Sequence, residues 1–337
     1  MLLENILLNI KVNNMIKVVN PSVEIWNQEG YTLDAIWKHI ARCARVCYQS
    51  VPKNNGETDY GFIVRTLLKG IDVINQPYDV EKIKTCHLSV LEHGTVHLRY
   101  PLYVSRADIQ FSNRLKYNKY SKFYIDEKDY AYVTTNMRVL VENGWIDELE
   151  FIDEIHNNEY NRINRCTINF ITDIGVSREL NRHRVNSISE ESTRYCRYNA
   201  DKFGNNISVA KLPWINIEDS ACQGYVTGLY SDNEICNDNK IVPHFTENWT
   251  AINWFLYGLQ IANLVYCKCI ELGWTAQQAR EILPLNTKTQ VVHTAFLDDW
   301  IHFIDLRSNG VSGVPHPMAK ELADEVKFLL SCCKSCG

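Results

Sequence analysis

Hydrophobic residues recur at helical spacing over TLDAIWKHIARCARV (32–46). Leu33, Ile36, Trp37, Ile40 and Ala44 share one face behind Thr32, whose hydroxyl suits an N-cap. This spacing predicts an amphipathic helix, and a second helical stretch follows near 62–68. From Gly94 the period changes to two. Val96, Leu98 and Tyr100 alternate with polar residues, as do Ile168 and Phe170 within 166–172, the pattern of half-buried strands. YAYVTT (130–135) and RVLV (138–141) read as further strand between charged, Asn-rich loops, so the middle third is predicted to be mainly β.

The last third returns to helical spacing. Residues 249–272 carry only a narrow polar stripe, which predicts a buried helix of the main core. TAQQ (275–278) reads as a capping box that starts a short helix ending before Pro284. Another helix is predicted from Thr289 to Arg307, closed by Asn309 and Gly310. A final one over 317–330 has Met318, Leu322, Val326 and Leu329 on one face. The expected fold is α+β, with helices packed on a mostly antiparallel sheet in a single large domain. That domain covers 32–330, between an N-terminal extension (1–31) and a tail (331–337), and 101–163 is its enlarged central segment.

Composition narrows the function. With 35 Lys plus Arg against 40 Asp plus Glu, the net charge of −5 opposes nonspecific binding to nucleic acid or anionic lipid. A 45% hydrophobic and 22% charged chain is also far from the disordered class. The 12 cysteines contain no CxxC pair repeated at zinc-ribbon distance. The first residues, Met1, Leu2, Leu3 and Glu4, lack the basic start of an export signal, so reduced thiols and a cytoplasmic location are expected. The apolar tract 252–266 is interrupted by Asn253, Gln260 and Asn263 and is shorter than the ~20 residues that cross a bilayer, so no membrane association is expected.

No GxxxxGKS/T, GxGxxG, HExxH or GxSxG pattern occurs, which disfavours P-loop, Rossmann, zincin and α/β-hydrolase chemistry. SRELNRHRVNSISEESTRYCR (177–197), directly after a predicted strand, gathers five arginines and a histidine in an acidic chain. Glu179, Glu190 and Glu191 could simply pair with them on a solvated surface. Alternatively, the consecutive cations Arg182, His183 and Arg184 call for an anion, because guanidinium forks match phosphate oxygens and unneutralised like charges repel. A metal site at Cys86, His87, His93 and His97 is disfavoured. On a strand, His93 and His97 would stand about 13 Å apart, and core or ligand-side roles fit them better. Arg280 and Arg307 taken alone read as charges at helix C-termini.

Arg182-His183-Arg184, followed by seven residues and Ser192, resembles the RHR(x7)S signature of the flavin-dependent thymidylate synthases, and Thr193, Arg194 and Tyr195 extend it. ARVCY (44–48), CHLSVLEH (86–93), AREILP (279–284) and HFIDLR (302–307) occur in that family's order, so the resemblance spans about 32–330. It implies methylation of dUMP to dTMP, with methylenetetrahydrofolate as carbon donor, FAD as hydride carrier and NADPH as its reductant. It also implies an α+β homotetramer whose active sites draw on several subunits. Arg182, His183 and Arg184 would hold FAD, with Ser89, Glu190, Asp298 and His302 as further flavin-side candidates. Glu179, Arg182, Glu190, Glu191, Ser192, Thr193, Arg194 and Arg280 would serve dUMP. Arg307 would lie against the pyrimidine as the catalytic group, favouring ionisation at N3, and no metal is implied.

The chain departs from the family pattern at three places. Many members have Gln where this chain has Glu179, an acid that would need pairing with Arg178 or protonation near a nucleotide phosphate. Cys47 replaces a common Ser, and Phe296 stands where an Asn often contacts the flavin, while 101–163 carries no assignable motif. A different class of function is a non-catalytic nucleotide- or RNA-phosphate-binding module, which would use the same arginines with Tyr195 and Tyr198 as stacking platforms.

Overall fold

The computed structural model describes residues 16–53, 55–101, 114–125, 130–155, 163–215 and 250–332. Cys222, Cys236, Cys333 and Cys336, and the remainder of 1–31, 101–163 and 331–337, lie outside the described residues. The described helices are α1 (Leu33–Tyr48), α2 (Asp59–Thr66), α3 (Val80–Ile83), α4 (Met137–Asn143) and α5 (Ile174–Leu180). They continue with α6 (Ala251–Glu271), α7 (Ala276–Ala279), α8 (Leu297–Arg307) and α9 (Pro317–Cys332). The strands are β1 (Lys17–Val19), β2 (Ser22–Ile25), β3 (Thr95–Pro101), β4 (Lys122–Ile125) and β5 (Tyr130–Asn136). β6 (Arg165–Asp173), β7 (Ser187–Glu190), β8 (Ser208–Ala210) and β9 (Lys288–Phe296) complete them. The chain is α+β, and its described strands form three sheets ordered β1-β8, β2-β6-β9-β7 and β3-β5-β4. The β3-β5, β4-β5 and β7-β9 pairs are antiparallel, and β1-β8 is parallel.

Two compact units are present. The first comprises 1–22, 171–178 and 191–290, and the second 23–170, 179–190 and 291–337. In the second unit, α1 starts as the sequence predicts, with the Thr32 hydroxyl accepting from Ala35 N, and it buries Ile36, Trp37, Ile40 and Ala44. These pack with Leu91, Val96, Leu98, Val133, Met137 and Leu140, each large side chain contributing about 1.5–3 kcal/mol on burial. Gly94 sits where helix and strand meet. A Cβ there would come 2.5 Å from Ile40 Cδ1, so only glycine lets the chain pass α1 so closely.

Two elements differ from expectation. RVLV lies in helix α4, not strand. Asn136 Oδ1 caps Val139 N, Gly144 closes the helix in the left-handed region, and Met137, Leu140 and Val141 turn inward. Arg138 and Glu142 pair on the outer side at 2.9 Å, the i,i+4 spacing of a helix surface. The expected 289–307 helix is instead strand β9 followed by α8. Val291, Val292, His293, Thr294 and Ala295 are all buried, because β9 is an interior strand covered on both faces and so shows no alternation.

A chain of buried side chains crosses this sheet. His39 Nε2 lies 3.0 Å from Thr167 Oγ1, which lies 2.7 Å from Thr294 Oγ1. Thr294 Oγ1 is 2.7 Å from His93 Nδ1, and His93 Nε2 is 2.9 Å from Ser189 Oγ. His93 ends the 3-10 turn Leu88–His93 ahead of β3, so it does not share a strand face with His97 as expected. His97 bonds Thr134 Oγ1 at 2.8 Å and meets the Tyr31 ring edge-on. Among the described residues no cluster of His, Cys, Asp and Glu is arranged to hold a metal.

α8 buries Trp300 and Phe303, which stack with Phe170 at centroid distances of 6.2 and 6.0 Å. α9 begins at Pro317, as Pro favours the first helical position, and seats Met318, Leu322 and Val326. In the first unit, α6 opens on a full capping box at Thr250 and Asn253. It is not the main-core helix its composition predicts. Leu259, Asn263, Leu264, Tyr266, Cys267 and Ile270 are buried, whereas Trp254 is 52% exposed. Tyr266, Cys267 and Ile270 join Cys196, Tyr198, Ile207 and Ala279 in a separate core.

Candidate functional site

In the second unit, the chain turns sharply after α5. Arg182 N donates to Glu179 O, His183 N to Leu180 O and Asn186 N to His183 O. The turn points successive side chains in opposite directions. Arg182 and Arg184 are exposed, and among the described residues their guanidinium groups have no hydrogen-bond or ion-pair partner. His183 between them is buried, 4.8 Å from the Phe303 ring and 6.1 Å from the His302 ring.

Arg307, the last residue of α8, closes on the same turn. Its Nε donates to His183 Nε2 at 3.3 Å, its Nη1 to Glu179 Oε2 at 2.9 Å and its Nη2 to Glu179 O at 2.8 Å. Because the arginine donates, His183 Nε2 must carry a lone pair, and the imidazole proton sits on Nδ1. Burial, then the Arg307 charge and His302, push the His183 pKa down to about 4, which keeps the ring neutral as this bond requires. Glu179 therefore pairs with Arg307, and not with Arg178, which with protonation was one of the two alternatives read from the sequence.

A directional hydrogen-bond chain leads from this turn to Glu190. Asn186 Nδ2 donates to His293 Nδ1 at 3.1 Å, so His293 Nε2 carries the proton and donates to Asn181 Oδ1 at 3.2 Å. Asn181 Nδ2 then donates to Glu190 Oε2 at 2.9 Å. Burial pushes His293 down to about 3. Asn181 and His293 were not singled out in the sequence, since placing His293 in a helix hid its pairing opposite Ile188 on β7. Among the described residues, no hydrogen bond or ion pair joins Ser89 or Asp298 to this cluster. Ser89 is exposed on the 3-10 turn, and Asp298 pairs with Lys122 at 2.8 Å.

In the first unit, a second turn carries the rest of the motif. Tyr195 N and Cys196 N donate to Ser192 O, and Arg194 N donates to Ser192 Oγ at 3.3 Å. Arg194 and Tyr195 face out, while Cys196 is fully buried and its thiol is pushed up to about 12 by burial. Arg194 Nε donates to Gln277 Oε1 at 3.0 Å, which ties it to α7, and Arg280 caps that helix. The capping box at Thr275 and Gln278 forms as predicted. Glu191 turns inward instead, with its side chain fully covered and Oε2 2.7 Å from Lys288 Nζ. Gln277 and Lys288 carry no motif signal; only their contacts reveal them.

In the second unit Glu179, His183 and Arg307 meet at the turn that carries the arginine motif, and comparison with known proteins gives that motif a family. The profile of the thymidylate synthase complementing protein family, Thy1, matches residues 147–327. The chain belongs to this family. A probable flavin-dependent thymidylate synthase of Paramecium bursaria Chlorella virus 1 is 29% identical over 145 residues, 43% of this chain and 57% of that protein. This chain thus matches little more than half the length of that relative. Two crystal structures of the UMP/dUMP methylase PolB from Streptomyces cacaoi, bound with 5-Br dUMP and 5-Br UMP, align with TM-scores of 0.39 and 0.37. Their identities are 14% and 15%, with 94% of this chain and 93% and 91% of those chains covered. A likeness that low carries no ligand across.

Proposed function

We propose that this protein methylates dUMP to dTMP with methylenetetrahydrofolate as carbon donor, using FAD reduced by NADPH, and works as a homotetramer. The observation that carries the reading is the alternation at 182–184: two guanidinium groups with no partner among the described residues face out, and between them a neutral imidazole faces Arg307. Exposed, unpartnered guanidinium groups fit the pyrophosphate of FAD, so Arg182 and Arg184 would hold that cofactor, with Ser89 and His302 as further contacts. When bound, the flavin supplies the hydride transfer that the side chains cannot.

The remaining roles follow from charge and placement. Ser192, Thr193, Arg194 and Arg280 would bind the dUMP phosphate, and Glu190, oriented by Asn181, would accept from substrate hydroxyl or N–H groups. Arg307 would lie beside the pyrimidine, where a fixed cation stabilises the negative charge that develops as C5 attacks. No thiol nucleophile is needed, and the burial of Cys196 agrees with that. Purified protein should bind added FAD, show flavin absorbance and oxidise NADPH faster with dUMP present. Protein that remains colourless with FAD, yet binds nucleotides, would instead support the non-catalytic binding module.

A further inference from the structure

Arg307 is unusual among the candidate arginines because most of its donors are already committed. A guanidinium carries five N–H bonds, and three of those on Arg307 go to Glu179 and His183. The contacts differ in kind. The Glu179 side chain and its own main-chain carbonyl take one Nη each, and the His183 ring takes Nε, so the plane of the guanidinium is set from two directions. The Arg307 side chain is only 16% exposed, and the last turn of α8 behind it is packed through Phe303, which also touches the His183 ring. What remains for a ligand is one N–H on each Nη, on a side chain that has little freedom to turn.

We propose that Glu179 is a positioning residue, which holds Arg307 so that its two uncommitted N–H groups face the substrate, and that it does not itself bind dUMP. The proposal rests on the role given to Arg307 above. It also predicts how Gln would serve in place of the acid. The Gln carboxamide oxygen can accept from Nη1 as the carboxylate does, so both side chains can hold the arginine, and Glu holds it with the stronger charge-assisted bond. His183 does the rest of the holding from inside the fold, which assigns the middle residue of the arginine motif to Arg307 and leaves anion binding to its two neighbours.

Glu179→Ala and Glu179→Gln test the assignment, compared with wild type for single-turnover dTMP formation, dUMP affinity and FAD retention. Glu179→Ala should lower the rate of turnover by about 10²-fold, the scale of a displaced catalytic group, with dUMP affinity and FAD retention each within threefold of wild type. Glu179→Gln should restore at least tenfold of that loss. A Glu179→Ala protein that turns over like wild type, or loses dUMP affinity in step with its rate, overturns the proposal. The two readings fail separately. If wild type forms no dTMP, the proposed function falls, and NMR of 15N-labelled arginine decides on the clamp. The Arg307 Nη–H signals, identified by their absence in Arg307→Lys, should resist solvent exchange in wild type and Glu179→Gln, and the Nη1 protection should be lost in Glu179→Ala. Unchanged protection in Glu179→Ala overturns the clamp.

Discussion

Arg182 and Arg184 on one side of the turn and Arg307 on the other are the same side chain in opposite conditions. The first two stand in solvent and, among the described residues, no acid or carbonyl engages their guanidinium groups. Arg307 is tied by three hydrogen bonds to a carboxylate, a carbonyl and an imidazole. A free guanidinium can move to meet a phosphate and contributes mainly to binding. A held one loses no conformational entropy when the reaction reaches its transition state, so it suits charge stabilisation. The difference is set by a one-residue alternation, since His183 turns inward and its neighbours turn out.

The most direct way to break this comparison is to remove each arginine in turn. Arg307→Ala should slow single-turnover dTMP formation by about 10²–10³-fold, or about 2.7–4 kcal/mol, with FAD titration little changed. Arg182→Ala and Arg184→Ala should each weaken FAD binding by about 1.5–3 kcal/mol, the range for a lost charge-assisted contact. If Arg307→Ala loses FAD as badly as Arg182→Ala while its remaining holoenzyme turns over normally, the held and free arginines do one job and the distinction fails.

The inward side can also be probed by pH. His39 and His293 are pushed down to about 4 and about 3 by burial, whereas in the unfolded chain they titrate near 6.5. Between those values the unfolded state binds more protons than the folded one. Stability is therefore complete above about pH 6.5 and declines as pH falls, by about 2 kcal/mol per histidine between pH 7 and 5. Urea midpoints at the two pH values measure the decline, and His293→Gln should reduce it. A midpoint that stays level in wild type would show that the imidazoles are not held neutral inside the fold.

Much of this was legible in the sequence where one face alone is buried. α1 and α9 follow their periodicity, and the capping box at Thr275 forms as the residues predict. Periodicity failed where burial is two-sided or very short. β9 is covered on both faces and read as helix, and RVLV is one helical turn whose β-branched residues imitate a strand. The arginine signature could be found by spacing, but its division into outward and inward members depends on the turn. The Glu179 partner, Arg307, lies 128 residues away in the chain, and no local pattern announces it. Glu191 matched the same motif, yet it is committed to Lys288.

The smallest effect expected concerns the second turn, where the same alternation recurs. Tyr195 and Arg197 face out and Cys196 between them faces in, among Tyr198, Tyr266 and Ile270. Its position directly after the motif makes it the one cysteine that could be mistaken for a nucleophile. A nucleophilic thiol must ionise and reach its substrate. Cys196 does neither, because burial raises its pKa to about 12 and its side chain has no exposed surface. Cys196→Ala should therefore leave dTMP formation within about threefold of wild type, since the hydride route needs no thiol adduct. It should lower stability by about 1 kcal/mol through the lost packing of one small buried group. Turnover and the urea midpoint measured on the same preparation separate the two effects. A hundredfold loss of dTMP formation, with FAD and dUMP still bound, would place Cys196 among the groups that act on the substrate and end the parallel between the two turns.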